Sequence, residues 1–148
     1  MNIEEKAAQI VAAAEVVTVA SIDENGYPRP VAMVKLKDKN GGIYFSTGTS
    51  TAKVAHFKAN SKAGISIVEG ENSVVYTGEM EIVTDQGVKE SLWDDWMLPH
   101  IPGGVTNPQY CVLKFTPKSS TYWIDNVFVK DGKYLNLFCQ SCGRPMQS

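Results

Sequence analysis

The run Val16-Val-Thr-Val-Ala-Ser-Ile22 stops at Asp23-Glu-Asn-Gly26, and a second extended run follows from Pro28 to Lys37. β-Branched side chains crowd a helix but fit a pleated sheet, and an Asn-Gly step suits the backbone of a tight turn. A chain that doubles back so early is set up for antiparallel pairing. The same grammar recurs downstream. Asp38-Lys-Asn-Gly-Gly42 leads into Ile43–Ser46, Ala63–Val68 is strand-like, and Ser73–Thr84 reads as one long strand with a bulge or bend at Gly78. Tyr110–Phe115, Ser120–Ile124 and a last hairpin around Asp131-Gly132 finish the pattern.

Three segments break the alternation. Asn2 and Glu5 form a capping box for a helix whose apolar face is Ile3, Ala7, Ile10, Val11 and Ala14. Ser50–Ala59 is a short second helix with Val54 and Phe57 turned inward, and Asp85–Met97 is a third with Val88, Leu92 and Trp96 on one face. Pro99–Pro108 is a loop. Short strands in hairpin succession with helices at the edges predict a mainly β fold, a small barrel or closed sheet rather than a doubly wound α/β sheet.

Length and charge narrow the function classes. With 148 residues, 43% of them hydrophobic, the chain is large enough for one domain with its own core. Residues 1–135 are expected to form it, with 136–148 as a separate tail. A formal charge of −2 gives no basic balance for a nucleic-acid backbone, and Lys35, Lys37 and Lys39 are read as solubilising residues of an exposed edge. No apolar run approaches a membrane span, and residues 2–6 lack the basic start of a signal peptide. Three cysteines do not make a disulfide framework. The expected setting is a cytoplasm, with neither membrane nor nucleic acid as partner.

Chemistry concentrates in Tyr44-Phe-Ser-Thr-Gly-Thr-Ser-Thr-Ala-Lys53, a strand that enters a helix through a hydroxyl-rich turn. Such a junction offers free N–H groups and the positive end of a helix dipole, a natural anion site. Thr47, Thr49, Ser50 and Thr51 add hydroxyls and Lys53 adds a charge. The plainer alternative is that Ser50 or Thr51 caps the helix and Lys53 is solvated. His56 and His100 lack a neighbouring Ser, Cys or carboxylate in the sequence that would suggest a triad or metal site, so no catalytic residue is named.

In their order, these pieces resemble the FMN-binding split-barrel flavoproteins of the pyridoxamine 5'-phosphate oxidase type, including the general stress proteins. The matching pieces are the opening helix, Val16–Ile22 with Asp23-Glu-Asn-Gly-Tyr-Pro-Arg-Pro30, the Ile43–Lys53 segment, His56-Phe-Lys-Ala-Asn60, Ser73–Val83 and Phe115-Thr-Pro with Thr121-Tyr-Trp123. The resemblance implies a six-stranded split barrel that forms a homodimer with FMN at the subunit interface. By the same resemblance, Pro30, Val31, Ala32 and Met33 line the flavin ring, largely through backbone, and Ser46, Thr47, Thr51 and Lys53 hold the phosphate with Arg29. Asn72, Ser73, Val74 and Trp123 fall at positions contributed across the dimer.

The function implied is flavin-dependent redox of a small molecule, with NAD(P)H as candidate donor. The alternative is a non-enzymatic module that stores or senses flavin. Pyridoxamine-phosphate oxidation itself is not expected, because no arginine follows Trp123 before Arg144 and no histidine follows it at all. Cys139-Gln-Ser-Cys142 resembles half of a zinc ribbon fused to some members of this group. Structural zinc takes four ligands, so no metal is assigned.

Overall fold

The computed structural model describes residues 1–37, 41–132, 135–136 and 146–147. Cys139, Cys142 and the body of the proposed tail lie outside the described residues. Helix α1 (Ile3–Ala13) starts as expected, with the Asn2 carboxamide accepting the Glu5 N–H at 2.8 Å. Its Ala7, Ala8, Ile10 and Val11 are buried.

Strands β1 (Val16–Ile22), β2 (Pro28–Val34), β3 (Ile43–Gly48), β4 (Lys62–Glu69), β5 (Asn72–Val83), β6 (Tyr110–Ile124) and β7 (Val127–Lys130) form one antiparallel sheet. The order is β2-β1-β4-β5-β6-β3, with β7 added on β6. The sheet therefore has seven strands, one more than the six expected. Between its two end strands the sheet closes through a Lys35–Phe45 bridge and the Leu36 N–H on the Tyr44 carbonyl at 2.8 Å. Elsewhere among the described residues β2 is laddered only to β1, which leaves its outer edge without a ladder along the split. Among the described residues, β8 (Leu135–Asn136) and β9 (Met146–Gln147) pair separately.

The barrel interior is apolar and continuous. Val17, Val19, Phe45, Ile65, Val74, Met80, Leu113 and Ile124 are buried, and Tyr76 and Tyr122 meet edge to face at 6.1 Å between ring centroids. Helix α2 (Ala52–Ala59) packs on β1 and β5, burying Val54 and Phe57 as the three-residue interval predicted. A smaller cluster gathers Leu36, Leu92, Met97, Tyr110 and Val112.

Three expected elements differ. The two runs read as Tyr110–Phe115 and Ser120–Ile124 are one fifteen-residue strand, β6. Pro117 sits inside it opposite Gly78, where the β5–β6 register already shifts, so the absent N–H costs no regular ladder bond. The third helix ends early. α3 spans Gln86–Ser91, and a separate 3-10 turn at Asp95–Met97 buries Met97 but leaves Trp96 45% exposed, off the expected face. The last hairpin of the main sheet turns at Asp125-Asn126, both with positive φ (53° and 64°), not at Asp131-Gly132. No helix among the described residues is long and apolar enough to cross a membrane.

Candidate functional site

The hydroxyl-rich turn joins β3 to α2, and its side chains divide in two. Thr49 Oγ1 donates to the Pro108 carbonyl at 2.6 Å, and Ser50 donates from its N–H and Oγ to Gln109 Oε1 at 3.3 and 3.1 Å. These two residues moor the turn to the start of β6 instead of facing outward as donors. Thr51 Oγ1 donates to the Gly48 carbonyl at 2.9 Å and lies 3.4 Å from Thr47 Oγ1. Thr51 holds the N-cap position of α2, but its side chain makes no capping hydrogen bond. The first turn of α2 thus lacks the usual side-chain acceptor for its N–H groups.

Lys53 stands on that first turn, half-buried. Burial lowers the pKa of its ammonium from the ordinary 10.5, and the nearby guanidinium of Arg29 lowers it further. Arg29 comes from β2, twenty-four residues earlier in the chain and directly opposite Ser21 on β1. Two cations from separate elements therefore converge at a helix start carrying two hydroxyls, an arrangement that suits an anion.

The remaining expected residues are distributed by strand geometry. Along β2, Pro30 and Ala32 are exposed, Met33 is buried and Val31 packs against the core, so the two faces of the strand alternate. On β3, Ser46 lies on the Tyr44 face and Thr47 on the Phe45 face, so only Thr47 joins Thr51. Asn72, Ser73 and Trp123 lie together elsewhere. Ser73 pairs with Trp123, and Asn72 Oδ1 accepts the Asp125 N–H at 3.0 Å. Val74 is fully buried. Within one chain, this group sits towards the Val16 end of the sheet, whereas Arg29 sits at the Ser21 end.

One constellation escaped the sequence reading. Ser21 Oγ and His56 Nδ1 lie 2.8 Å apart in the interior, and His56 Nε2 is 3.4 Å from the Glu24 carboxylate. His56 has both a serine and a carboxylate beside it after all. Residues 21, 24 and 56 share no local spacing, so only the docking of α2 on the β1–β2 hairpin brings them together. Helical periodicity gave no sign of it either, because His56 lies about 200° around α2 from Val54 and about 100° from Phe57.

The outward face carries a further feature. Val34 and Val16 pair across β2 and β1, Val68 and Ser73 across β4 and β5, and Trp123 and Phe128 across β6 and β7. Val16, Val34, Val68, Val75, Trp123 and Phe128 are all exposed there. An apolar band of this extent on a sheet face commonly marks an interaction surface.

The comparisons with known proteins agree with this architecture. The family model described as pyridoxamine 5'-phosphate oxidase matches residues 3–124. No curated protein matches the chain. Among solved structures, the chain is similar to a Clostridium acetobutylicum protein related to general stress protein 26 of B. subtilis, of the pyridoxinephosphate oxidase family. The identity is 31% and the TM-score 0.74, over 84% of this chain and 90% of that one. General stress protein 26 from Bacillus anthracis shares the fold at 20% identity and a TM-score of 0.72, over 88% of this chain and 99% of that one. A match over nearly the whole barrel, joined to a split sheet with two cations at the β3–α2 turn, places this chain in the pyridoxamine 5'-phosphate oxidase family.

Proposed function

We propose that this chain binds FMN, with the phosphate held between Arg29 and Lys53 at the start of α2. The convergence of those two cations carries the reading. A phosphate monoester has a charge of about −1.5 to −2 at neutral pH, so it replaces repulsion between the cations with charge-assisted hydrogen bonds. Thr47 and the N–H groups of the first α2 turn are the neutral donors, with Thr51, whose hydroxyl donates to the Gly48 carbonyl, beside Thr47, and Ser46 on the adjoining face of β3. The ring lies along the open edge of β2, where the backbone of Pro30, Val31, Ala32 and Met33 can meet its polar rim.

A second copy of the chain completes the site. The exposed apolar band suits a homodimer, because self-association removes that surface from water. Asn72, Ser73 and Trp123 then act across the interface, consistent with their distance along the sheet from Arg29, whereas Val74 faces the barrel core and only supports them. The bound flavin supplies hydride or electron chemistry, while the protein supplies position and electrostatics. The best-supported activity is redox of a small molecule with NAD(P)H as donor. Pyridoxamine-phosphate oxidation is disfavoured by the lack of any arginine or histidine from Ile124 to Ser141.

The test is a visible spectrum of the purified protein followed by FMN titration of the apo form. Flavin bands at about one FMN per chain, or uptake with a micromolar Kd, support the reading, and no uptake at high FMN overturns it. Steady reduction of the bound flavin by NADH or NADPH, with turnover on an added acceptor, would mark an enzyme. A bound flavin that never turns over would mark a storage or sensing module.

A further inference from the structure

Ser21 and His56 are 2% and 8% exposed, whereas Glu24, at the far end of the same chain of contacts, is largely in solvent. Burying a hydroxyl and an imidazole costs free energy unless each finds a partner, and here each does. A satisfied polar pair inside an apolar core holds its elements in one relative position. In this case the elements are those that carry the two cations. Ser21 is the cross-strand partner of Arg29, and His56 follows Lys53 by three residues on α2, so the two lie on adjoining parts of one helix surface.

The outer end of the contact is also fixed. Asp23 accepts the N–H groups of Asn25 and Tyr27 on one carboxylate oxygen, at 3.0 and 2.9 Å, and backbone bonds between Asp23, Gly26 and Tyr27 close the turn. Glu24 therefore meets His56 from an ordered turn. A serine, a histidine and a carboxylate in contact also raise the prospect of a hydrolytic triad. The geometry argues against it, because a nucleophile must be reached by its substrate and Ser21 Oγ is sealed in the interior.

We propose that Ser21, His56 and Glu24 are positioning residues for the anion site: they fix the spacing of the Arg29 and Lys53 charges, and so set the preference for a phosphate-bearing flavin over its dephosphorylated form. The inference rests on the FMN reading above. A clamp that only supports the barrel would affect both ligands alike, and a clamp that sets the cation spacing affects the phosphorylated one.

The experiment compares FMN and riboflavin affinities of the full chain by flavin fluorescence, with circular dichroism to verify folding. The wild type should prefer FMN. His56→Ala should weaken FMN binding by about tenfold while leaving riboflavin affinity unchanged, as expected when a hydrogen-bonded link is lost. His56→Asn, which keeps a polar atom near the Nδ1 position, should restore most of the preference. Glu24→Gln changes only an exposed side chain and should reduce the preference by about two- to threefold. A wild-type preference for FMN that persists in all three variants overturns the clamp alone. Equal weakening of both ligands in His56→Ala also overturns it. A wild type with no preference for FMN overturns the phosphate reading, and the clamp with it.

Discussion

Arg29 and Lys53, one on a strand and one on a helix, approach closely enough that the guanidinium helps to depress the lysine pKa. Like charges repel, and neither residue gains from the other unless something negative lies between them. The barrel therefore holds this corner in a condition that an anion relieves. Removing the charge at the helix start should show this directly. Lys53→Ala combined with Thr51→Ala should weaken FMN binding by more than tenfold, since charge-assisted contacts are worth roughly 1.5–3 kcal/mol each. Isothermal titration would measure it, and an unchanged affinity would refute the assignment.

The lowered Lys53 pKa has a signed consequence for stability. An unfolded lysine keeps its proton up to about pH 10.5, whereas the folded Lys53 releases it earlier. The unfolded chain thus binds more protons in that window, and Lys53 makes stability rise as pH increases towards 10.5. Urea unfolding between pH 8 and 10 should show a shallower rise in Lys53→Met than in the wild type. Saturating inorganic phosphate, which favours the charged ammonium, should flatten the wild-type curve in the same way.

Tyr110 acts with the opposite sign. It is buried, its hydroxyl donates to the Lys89 carbonyl at 2.7 Å, and burial pushes its pKa up to about 12. Its contribution is complete below the ordinary tyrosine value and is lost as pH climbs through 10 towards 12. Tyr110→Phe should cost about 1 kcal/mol at neutral pH, the worth of one hydrogen bond. It should also remove part of the alkaline loss of stability above pH 10, read from the unfolding midpoint.

Gly78 is required by proximity. A Cβ there would stand 2.1 Å from the Thr116 carbonyl oxygen and 3.0 Å from its carbon. Both are backbone atoms and cannot swing aside. Gly78→Ala should therefore destabilise the protein by several kcal/mol, at or beyond the usual upper range for overpacking. Failure to recover soluble protein, or a large fall in Tm, is the expected result. A Tm within a few degrees of the wild type would mean that the β5–β6 crossing is looser than described.

The outward apolar band can be tested by charge. Val68→Asp and Phe128→Asp alter exposed positions on it and should leave the monomer folded. Buried in a self-association surface, an unpaired carboxylate costs several kcal/mol. On the proposed homodimer, light scattering coupled to size exclusion should report a dimer for the wild type and a monomer for these variants. If FMN occupies a site shared by two chains, its affinity should fall in the same variants.

Much of the barrel could be read from local pattern. The Asn2 cap, the Asp23–Gly26 turn, the inward Val54 and Phe57, and the Gly78 irregularity all follow from residues close in sequence. What escaped depends on distant neighbours. The runs Tyr110–Phe115 and Ser120–Ile124 read as separate because Pro117 lies between them and its partner Gly78, thirty-nine residues earlier, could not be matched to it before the pairing was known. Asp94 starts a new turn by capping the Asp95 N–H at 2.8 Å, which ends the apolar periodicity that had carried the third helix through Trp96. Similarly, the hydroxyls of Thr49 and Ser50 looked available until Pro108 and Gln109 were placed beside them. The convergence of Arg29 with Lys53 came from family resemblance, and the contact of His56 with Ser21 came from the fold alone.

The arrangement of β6 also dictates when the anion corner can come into being. β3, which delivers the β3–α2 turn, has its ladder on β6, more than sixty residues downstream, and Thr49 and Ser50 are moored to the residues just before that strand. During synthesis, β1 and β2 can pair as soon as both have left the ribosome and α2 can then meet β1, but the β3–α2 turn gains its ladder and its moorings only when β6 follows. Contacts of such sequence separation form slowly. The nascent protein should thus present Arg29 on a finished hairpin well before it can hold a ligand, and ligand capture becomes a late report that the whole barrel has closed.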